Sequence, residues 1–474
     1  MTLERPELQD LIVIGATGDL SRRKLIPALY RLHSKGLLPE VCSVVGAARG
    51  PLDDGAFRAL AREAVLEFAP SAFNEQAWSA FASQLTYIQL GGDGSPDGGY
   101  LAIKECTGQS PRTFYLATPP AMVPEIVANL AESGLNRDAR IVVEKPFGTD
   151  VRSARELNAV LHEAFDESSI FRIDHYLGKE TVQNILVGRF TNAVFERIWN
   201  RDAIQHIQIT VAEALGMEGR GASYDGVGAL RDIVQNHVLQ MLALLTMEPP
   251  TSFEAERIRD EKTKLLRAVR PVDPARVVRG QYTSGTVGGE AVPGYLEEPK
   301  VAPGSDTETY VALELFIDNW RWAGVPVYLR TGKRLPYRAT EMELAFRDVP
   351  IDYLQGAAPL LHPNHLIYRI QPDEAIVFRL LTKVPGPAME VEQTDMAFSY
   401  EGFMTQPAEA YERLIHDVMK GDQTLFVRED AIERAWEIIE PVLLAPPPLL
   451  LYEAGSWGPE EAGGLVAPSR WHTR

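Results

Sequence analysis

The stretch LIVIGATGDLSRRK at positions 11–24 decides the fold, because it joins an apolar run to a helical pattern through a glycine turn. The run 11–14 suits one buried strand, and apolar residues with helical spacing follow between positions 25 and 30. Gly15 and Gly18 let the backbone approach a pyrophosphate at the helix N-terminus, where free amides and the helix dipole favour negative charge. The stretch therefore predicts the first strand–turn–helix unit of a dinucleotide-binding sheet.

A bare GxxG spacing is weak support for such a site. It is strengthened here by its position on the first strand-to-helix turn and by Arg22, Arg23 and Lys24 just beyond it. The cofactor-binding residues predicted for this turn are Gly15, Ala16, Thr17, Gly18, Asp19, Leu20 and Arg22.

Up to about residue 148, short apolar runs alternate with helical stretches such as 56–68 and 121–133. This alternation is typical of strand–helix–strand units around a parallel sheet. We therefore predict an N-terminal Rossmann-like, doubly wound α/β domain over residues 1–176.

The pattern changes character after two further predicted helices, 179–190 and 229–247. Apolar residues then occur at every second position in three runs, which predicts antiparallel strands with one buried face at 311–317, 366–370 and 376–380. The predicted fold class is thus α/β plus α+β, with a larger substrate-binding and dimerisation domain over residues 177–474 that contains an antiparallel sheet and helices.

The second strand of the first domain carries the signal for cofactor choice. It ends as Val45-Gly46-Ala47-Ala48-Arg49, at a position where proteins specific for NAD usually carry Asp or Glu for the ribose hydroxyls. Arg49 there predicts recognition of the 2′-phosphate of NADP.

Composition excludes several classes of protein. The chain has 474 residues, a formal charge of −18 and only two cysteines, Cys42 and Cys106. The negative charge argues against nucleic acid or an anionic membrane as a partner. Two cysteines are too few for a disulfide framework or a thiolate metal site, and we expect no metal. No apolar run approaches the ~18 residues of a membrane span, and MTLERPELQD at the start has no secretion pattern. We expect a cytoplasmic protein.

The segment RIDHYLGKE at 172–180 concentrates groups that suit a small polyanion. His175 and Lys179 are four residues apart, so at the start of a helix they would share a face, with the Tyr176 hydroxyl beside them. Cations in the first turn of a helix, where an anion is already favoured, predict a phosphate clamp.

These motifs occur in a long, ordered series that resembles the glucose-6-phosphate dehydrogenase family. The series contains GATGDLSRRK, EKPFG at 144–148, RIDHYLGKE, RDIVQNH at 231–237 and LRTGK at 329–333. The resemblance implies oxidation of β-D-glucose 6-phosphate to 6-phospho-D-glucono-1,5-lactone with hydride transfer to NADP, the first step of the pentose phosphate pathway. It also implies a homodimer or a dimer of dimers formed through the antiparallel sheet.

The resemblance further implies roles for residues that would be ambiguous on their own. His237 would be the general base that takes the proton of the substrate C1 hydroxyl, and Asp174 would orient its imidazole. Lys145 would touch both the cofactor side and a sugar hydroxyl. The other substrate-binding residues implied are His175, Tyr176, Lys179, Glu213, Asp232, Lys333, Arg338 and Gln371.

Two alternative functions compete with this interpretation. An oxidoreductase of an unphosphorylated sugar, which could also carry the EKP motif, would leave His175, Tyr176 and Lys179 without a role. A catalytically silent NADP-sensing regulator should lack either the base or its carboxylate, and this chain has both.

Overall fold

The computed structural model describes residues 4–40, 42–91, 98–351, 364–400 and 409–473. The chain forms two compact units. The first consists of Met1–Gly178, Thr251–Arg259 and Ala408–Glu433, and the second of Lys179–Pro250, Asp260–Pro407 and Arg434–Arg474. The predicted domain boundary after residue 176 stays a prediction, since compact packing units need not coincide with domains that fold independently.

The strands, numbered in chain order, are β1 Asp10–Ile14, β2 Val44–Ala48, β3 Leu85–Gln89, β4 Arg112–Leu116, β5 Ala139–Glu144, β6 Ile170–Ile173, β7 Ile204–Ala212, β8 Val277–Thr283, β9 Gly285–Val287, β10 Glu290–Val292, β11 Tyr310–Leu315, β12 Val327–Gly332, β13 Ala339–Phe346, β14 His365–Gln371, β15 Ala375–Lys383, β16 Val391–Ser399, β17 Phe426–Val427 and β18 Leu449–Glu453.

The α-helices are α1 Ile26–Ser34, α2 Asp54–Phe68, α3 Glu75–Ser83, α4 Tyr100–Thr107, α5 Val123–Glu132, α6 Val151–His162, α7 Glu180–Phe190, α8 Ala193–Ile198, α9 Gly221–Tyr224, α10 Leu239–Thr246, α11 Ala255–Ala268, α12 Ala410–Lys420, α13 Glu429–Leu444 and α14 Ala462–Val466. Within the described part of the chain, none of these helices combines the length and apolarity needed to cross a membrane.

The first unit contains the predicted doubly wound sheet. Its strand order is β17-β6-β5-β4-β1-β2-β3, and all neighbouring strands are parallel except the antiparallel pair of β17 and β6. Strands β1, β2 and β4 are buried along their whole length, as expected for a parallel sheet covered on both faces. The strand order reverses at β1, because β2 and β3 lie on one side of it and β4 to β6 lie on the other. In such sheets ligands bind outside the carboxyl ends of the strands at this switch point, here between β1 and β4.

The helices predicted at 56–68 and 121–133 correspond to α2 and α5. Asp53 caps α2 by accepting from the backbone N of Ala56 at 2.7 Å, which satisfies one amide that has no partner within the helix. A single 3₁₀ turn at Pro120–Met122 precedes α5.

The second unit contains the predicted larger sheet, in the order β16-β15-β14-β13-β7-β12-β11-β8-β18. Most neighbours are antiparallel, but β12 pairs with β7 and β18 pairs with β8 in parallel. The strands predicted at 311–317, 366–370 and 376–380 correspond to β11, β14 and β15.

The helix predicted at 229–247 has two parts. Leu230–Val238 is a π-helical segment, and the α-helix α10 continues from Leu239. The wider π turn rotates every side chain in the segment relative to an ideal α-helix, and such insertions are frequent at functional sites. Hydrophobic periodicity predicts that a helix is present, but it does not reveal this local widening.

Candidate functional site

A cleft of about 470 Å³ opens at the carboxyl ends of β1, β2 and β4 in the first unit. It lies at the switch point of the sheet, and its volume is within the usual ~300–1,000 Å³ of small-molecule sites. The cleft is lined by Ile14, Gly15, Thr17, Gly18, Ala48, Arg49, Gly50, Leu90, Gly91, Gly98, Tyr100, Ala117, Thr118, Pro119, Met122, Glu125, Ile126 and Asn129.

Gly15 is needed where the turn after β1 passes β4. Its φ is +92°, and a Cβ atom there would lie 2.5 Å from the carbonyl oxygen of Ala117. The Gly15 amide donates to the Ala47 carbonyl at 2.7 Å, and the Ser21 hydroxyl donates to the Gly15 carbonyl at 3.0 Å. These bonds hold the turn close to its neighbours and leave the cleft beside it open to a ligand.

Four of the predicted cofactor residues line this cleft: Gly15, Thr17, Gly18 and Arg49. The Arg49 residue is exposed and directly follows β2, as the sequence predicted. The residues fit a dinucleotide, because a glycine turn and a cation flank the same opening.

The other residues predicted on this turn do not line the cleft. Ala16 is buried, Leu20 is partly buried, Arg22 pairs with Glu67 at 2.7 Å, and Asp19 pairs with Arg23 at 2.6 Å. Their roles in cofactor binding stay predictions.

Several lining residues were missed by sequence reasoning. One group comes from the end of β4, from the N-cap residue Met122 and from α5, where Glu125, Ile126 and Asn129 have the spacing of a single helix face. The signal that could have revealed them is the run TFYLATP at 113–119, followed by the helix predicted at 121–133. This run contains most of β4, which lies beside β1 and therefore also ends at the switch point.

Lys145 follows directly after β5, whose last residue, Glu144, has a dense set of partners. The Tyr115 hydroxyl donates to Glu144 Oε1 at 2.5 Å, and Tyr411 is a second hydrogen-bond donor to the same carboxylate. Burial raises the pKa of Glu144, and the nearby Asp174 charge raises it further, whereas the two tyrosines and Lys145 act in the opposite direction. The EKP motif thus places Lys145 beside a partly buried carboxylate with two tyrosine partners.

Asp174 and His175 lie in the turn that follows β6. Asp174 is 1% exposed, and its Oδ1 accepts from the Tyr176 amide at 3.0 Å. The His175 ring is flanked by Tyr176, at a centroid distance of 5.1 Å, and by Tyr411, at 6.4 Å with an interplanar angle of 12°.

His175 and Lys179 do not share the face of a helix, so the prediction of their helical placement is wrong. Helix α7 begins at Glu180, and Lys179 is its N-cap residue with an extended backbone (φ −79°, ψ 135°). Residues 175–178 form turns because the Asp174 carboxylate bonds the backbone two residues on, which competes with helix formation.

In the second unit, two predicted residues, Lys179 and Arg338, converge on the side-chain amide of a third, Gln371. Lys179 Nζ and Arg338 Nη2, the latter at 2.9 Å, both donate to Gln371 Oε1, whose amide nitrogen donates to Thr340 Oγ1 at 3.1 Å. Two cations that meet at a neutral oxygen form a suitable site for an anion such as a phosphate.

Three more predicted residues, Glu213, Asp232 and Lys333, gather elsewhere in the same unit. Lys333 Nζ pairs with Glu213 Oε2 and lies 5.1 Å from the centre of the Tyr224 ring. Lys333 and Asp232 line a small cavity of about 100 Å³ together with Tyr224. Carboxylates and an ammonium at this spacing can bind sugar hydroxyls, which both donate and accept.

His237 lies in the π-helical segment of the second unit. It is 1% exposed, and its backbone amide donates to Asn236 Oδ1 at 2.5 Å. Its partnership with Asp174, which belongs to the first unit, stays a prediction.

Comparison with known proteins accounts for almost the whole chain. The family model described as "Glucose-6-phosphate dehydrogenase, NAD binding domain" matches residues 12–184. The model described as "Glucose-6-phosphate dehydrogenase, C-terminal domain" matches residues 186–472.

Individual proteins agree with this match. The glucose-6-phosphate 1-dehydrogenase of Rhizobium meliloti (strain 1021) is 45% identical over 473 residues, which cover 96% of this chain and 96% of that protein. A crystal structure of glucose-6-phosphate 1-dehydrogenase from Mycobacterium avium has a TM-score of 0.87 at 40% identity, covering 98% of this chain and 99% of that one. A glucose-6-phosphate dehydrogenase solved in complex with glucose 6-phosphate has a TM-score of 0.90 at 36% identity over the full length of both chains. The chain therefore belongs to the glucose-6-phosphate dehydrogenase family.

Proposed function

We propose that this protein is an NADP-dependent glucose-6-phosphate 1-dehydrogenase. It oxidises β-D-glucose 6-phosphate to 6-phospho-D-glucono-1,5-lactone, the first step of the pentose phosphate pathway. The observation that carries the proposal is the match of both family domains over residues 12–184 and 186–472, together with relatives of that name that cover nearly the full chain.

The cofactor is held in the cleft of the first unit. The turn at Gly15 gives the pyrophosphate access to backbone amides, and Arg49 binds the 2′-phosphate. When bound, NADP supplies the hydride acceptor, and the protein supplies alignment. The fit is supported by the close approach of Gly15 to Ala117, which leaves no room for a side chain at the turn.

The substrate is held by its two ends. Lys179 and Arg338, already directed at the same oxygen of Gln371, bind the 6-phosphate together with His175 and Tyr176. Glu213, Asp232, Lys333 and Lys145 bind the ring hydroxyls. The phosphate is remote from the reacting carbon, C1. Charge-assisted bonds to the phosphate nevertheless orient the whole sugar, and so help to align C1 for reaction.

The proton of the C1 hydroxyl is taken by His237. Asp174 orients the imidazole and stabilises the imidazolium that forms. The imidazolium then releases its proton to solvent, which regenerates the base for the next turnover. The family match supports this role, because it covers both RIDHYLGKE at 172–180, which contains Asp174, and RDIVQNH at 231–237, which contains His237.

The proposal extends to association and location. The protein acts in the cytoplasm as a homodimer or a dimer of dimers, formed through the large sheet of the second unit. Support comes from β16, an edge strand that exposes Met396 (64%) and Phe398 (41%), because apolar side chains on a long exposed edge favour pairing. Light scattering coupled to gel filtration measures the assembly, and a monomer at micromolar concentration contradicts it.

Initial rates of nicotinamide reduction test the proposed reaction. Glucose 6-phosphate and glucose are each offered with NADP and with NAD. We expect the fastest reduction with glucose 6-phosphate and NADP, and formation of an acid after the lactone hydrolyses. No reduction with glucose 6-phosphate, or equal rates with free glucose, would contradict the proposal.

A further inference from the structure

We propose that Glu144 is a positioning residue, which holds Tyr411 and, through Tyr411, the His175 imidazole that grips the substrate phosphate. All the side chains involved belong to the first unit. The inference rests on the proposed function, because it concerns how the phosphate is gripped.

The carboxylate of Glu144 is shared by two tyrosines from different elements. Tyr115 on β4 is 1% exposed and donates to Oε1 at 2.5 Å, while Tyr411 comes from the first turn of α12. Burial raises the pKa of both phenols, followed by the negative charge of Glu144. Both phenols therefore stay protonated at neutral pH and remain hydrogen-bond donors.

The Tyr411 ring is also the neighbour of His175. The two rings are nearly parallel, with an interplanar angle of 12° and centroids 6.4 Å apart. Tyr176 contacts the imidazole from another direction, with centroids 5.1 Å apart and an angle of 57°. Two aromatic rings thus flank the imidazole, and one of them, the Tyr411 ring, is tied to Glu144.

Helix α12 is anchored without the help of Glu144. The Glu412 carboxylate is 3% exposed and accepts from Arg31 at 3.2 Å and from Lys35 at 2.6 Å, both on or next to α1. Because these ion pairs hold the helix, loss of the bond between Glu144 and Tyr411 releases the hydroxyl end of one ring and leaves the backbone in place. A change in this bond is therefore expected to alter phosphate binding more than folding.

Steady-state kinetics of three tyrosine variants separate positioning from general structure. Tyr411→Phe keeps the ring but loses the bond to Glu144, and we expect the KM for glucose 6-phosphate to rise about five- to twentyfold with kcat changed less than about twofold. Tyr115→Phe removes a hydroxyl from the same carboxylate without touching His175, and we expect a rise below about threefold. Tyr30→Phe is the matched control, because its buried hydroxyl bonds only to Asn74 among the described residues, and we expect no change in KM.

Glu144→Gln and the double variant complete the experiment. Glu144→Gln should raise the KM for glucose 6-phosphate, as Tyr411→Phe does. The double variant that combines Glu144→Gln with Tyr411→Phe should have a KM little higher than either single variant, because both changes disrupt the same hydrogen bond. Free glucose carries no phosphate, so its slow oxidation should be unaffected in all of them. Melting temperatures are measured for every variant.

Three outcomes overturn the inference. One is an unchanged KM for Tyr411→Phe, and another is equal effects of Tyr411→Phe and Tyr115→Phe. The third is a fall in kcat in place of the rise in KM. If the wild-type protein does not reduce NADP with glucose 6-phosphate, the proposed function itself fails. If the wild-type protein is active and the variants show one of these three outcomes, only the role of Glu144 is wrong.

Discussion

Lys333 and Glu213 form an ion pair at the ends of two parallel neighbouring strands. Gly332 on β12 is in register with Ala212 on β7, so the next residue of each strand leaves the sheet at the same level. Lys333 is 4% exposed, and its ammonium lies near the Tyr224 ring. The register of the strands thus sets the relative positions of two groups proposed to bind sugar hydroxyls.

Removal of either member of this pair should lower the efficiency with which the protein oxidises glucose 6-phosphate. Lys333→Met and Glu213→Gln should each lower kcat/KM for glucose 6-phosphate by about ten- to a hundredfold, since charge-assisted bonds to hydroxyls are lost. The KM for NADP should stay constant. Arg270→Ala, which breaks the exposed pair with Asp318 in the same unit, is the control and should behave like the wild type. An unchanged kcat/KM in both site variants would contradict their role.

Arg49→Ala should reduce affinity for NADP and leave affinity for NAD nearly unchanged. A charge-assisted bond to phosphate is worth about 1.5–3 kcal/mol, so NADP should bind about ten- to a hundredfold more weakly. Fluorescence titration with each dinucleotide measures this directly. Arg152→Ala, at an exposed arginine paired with Glu156 on α6, should change neither affinity. Equal losses for NADP and NAD would show that Arg49 does not read the 2′-phosphate.

Lys179→Ala should narrow the preference for a phosphorylated sugar. The loss of one phosphate contact should lower kcat/KM for glucose 6-phosphate about ten- to a hundredfold, while slow turnover of free glucose should hardly change. The ratio of the two rate constants is the relevant measurement. Lys264→Ala removes an exposed lysine paired with Glu261 and should keep the ratio of the wild type. A constant ratio in Lys179→Ala would rule out a role in phosphate binding.

His237→Asn should lower kcat by about 10²–10⁴-fold, the usual contribution of a general base, and leave NADP binding intact. Asp174→Asn should cost less, because the base remains but loses its orienting carboxylate. The double variant should be little worse than His237→Asn alone, since residues that act as a unit give losses that are not additive. If the fold-reductions in kcat of the two single variants multiply in the double variant, or if His237→Asn keeps full kcat, the proton of the C1 hydroxyl leaves by another route.

A buried group of histidines in the second unit should make the protein less stable in mild acid. His206 on β7 and His472 near the end of the chain are 4% and 10% exposed, and burial lowers the pKa of both. Glu343 contacts His365 at 2.5 Å and His472 at 3.5 Å, and Glu341 lies 3.6 Å from His472. Arg379 on β15 also acts on His472 and lowers its pKa further.

The direction in which stability changes with pH follows from the lowered pKa values of His206 and His472. An unfolded histidine gains a proton near pH 6.5, whereas these folded histidines do so only at lower pH. The unfolded chain therefore binds more protons in that window, and stability falls as the pH drops below about 6.5. Melting temperatures measured from pH 8 to pH 5 test this expectation. In a double variant, His206→Gln with His472→Gln, the melting temperature should fall less between about pH 6.5 and pH 5 than it does in the wild type. A melting temperature independent of pH above 5 would contradict the assignment.

Much of the first unit is predictable because its signals are local. A strand, a glycine turn and a helix are adjacent at 11–34, and Arg49 directly follows the next strand. The face of α5 was not identified as part of the site, because only the parallel pairing of β1 with β4 brings it to the cleft. Tyr411 was missed for a related reason, since it comes from a segment that follows most of the second unit in sequence. Local patterns carry no information about such distant packing.

The second unit shows the same limit. Alternating apolar residues predicted the strands, but not that β7 would lie between β12 in parallel and β13 in antiparallel pairing. The π-helical segment around His237 has the same apolar periodicity as an α-helix, so the sequence pattern cannot distinguish them.

The first unit is assembled from segments that lie far apart in the chain, and this has a consequence for biosynthesis. A nascent polypeptide that ends at residue 178 already contains β1 to β6, but the outer edge of β6 has no partner until Phe426–Val427 is made. Helix α12, with the Glu412 that pairs with Arg31 and Lys35, also emerges late. The cofactor-binding half of the protein is therefore completed only after nearly the whole chain has left the ribosome, and until then its open strand edge is available to neighbouring nascent chains.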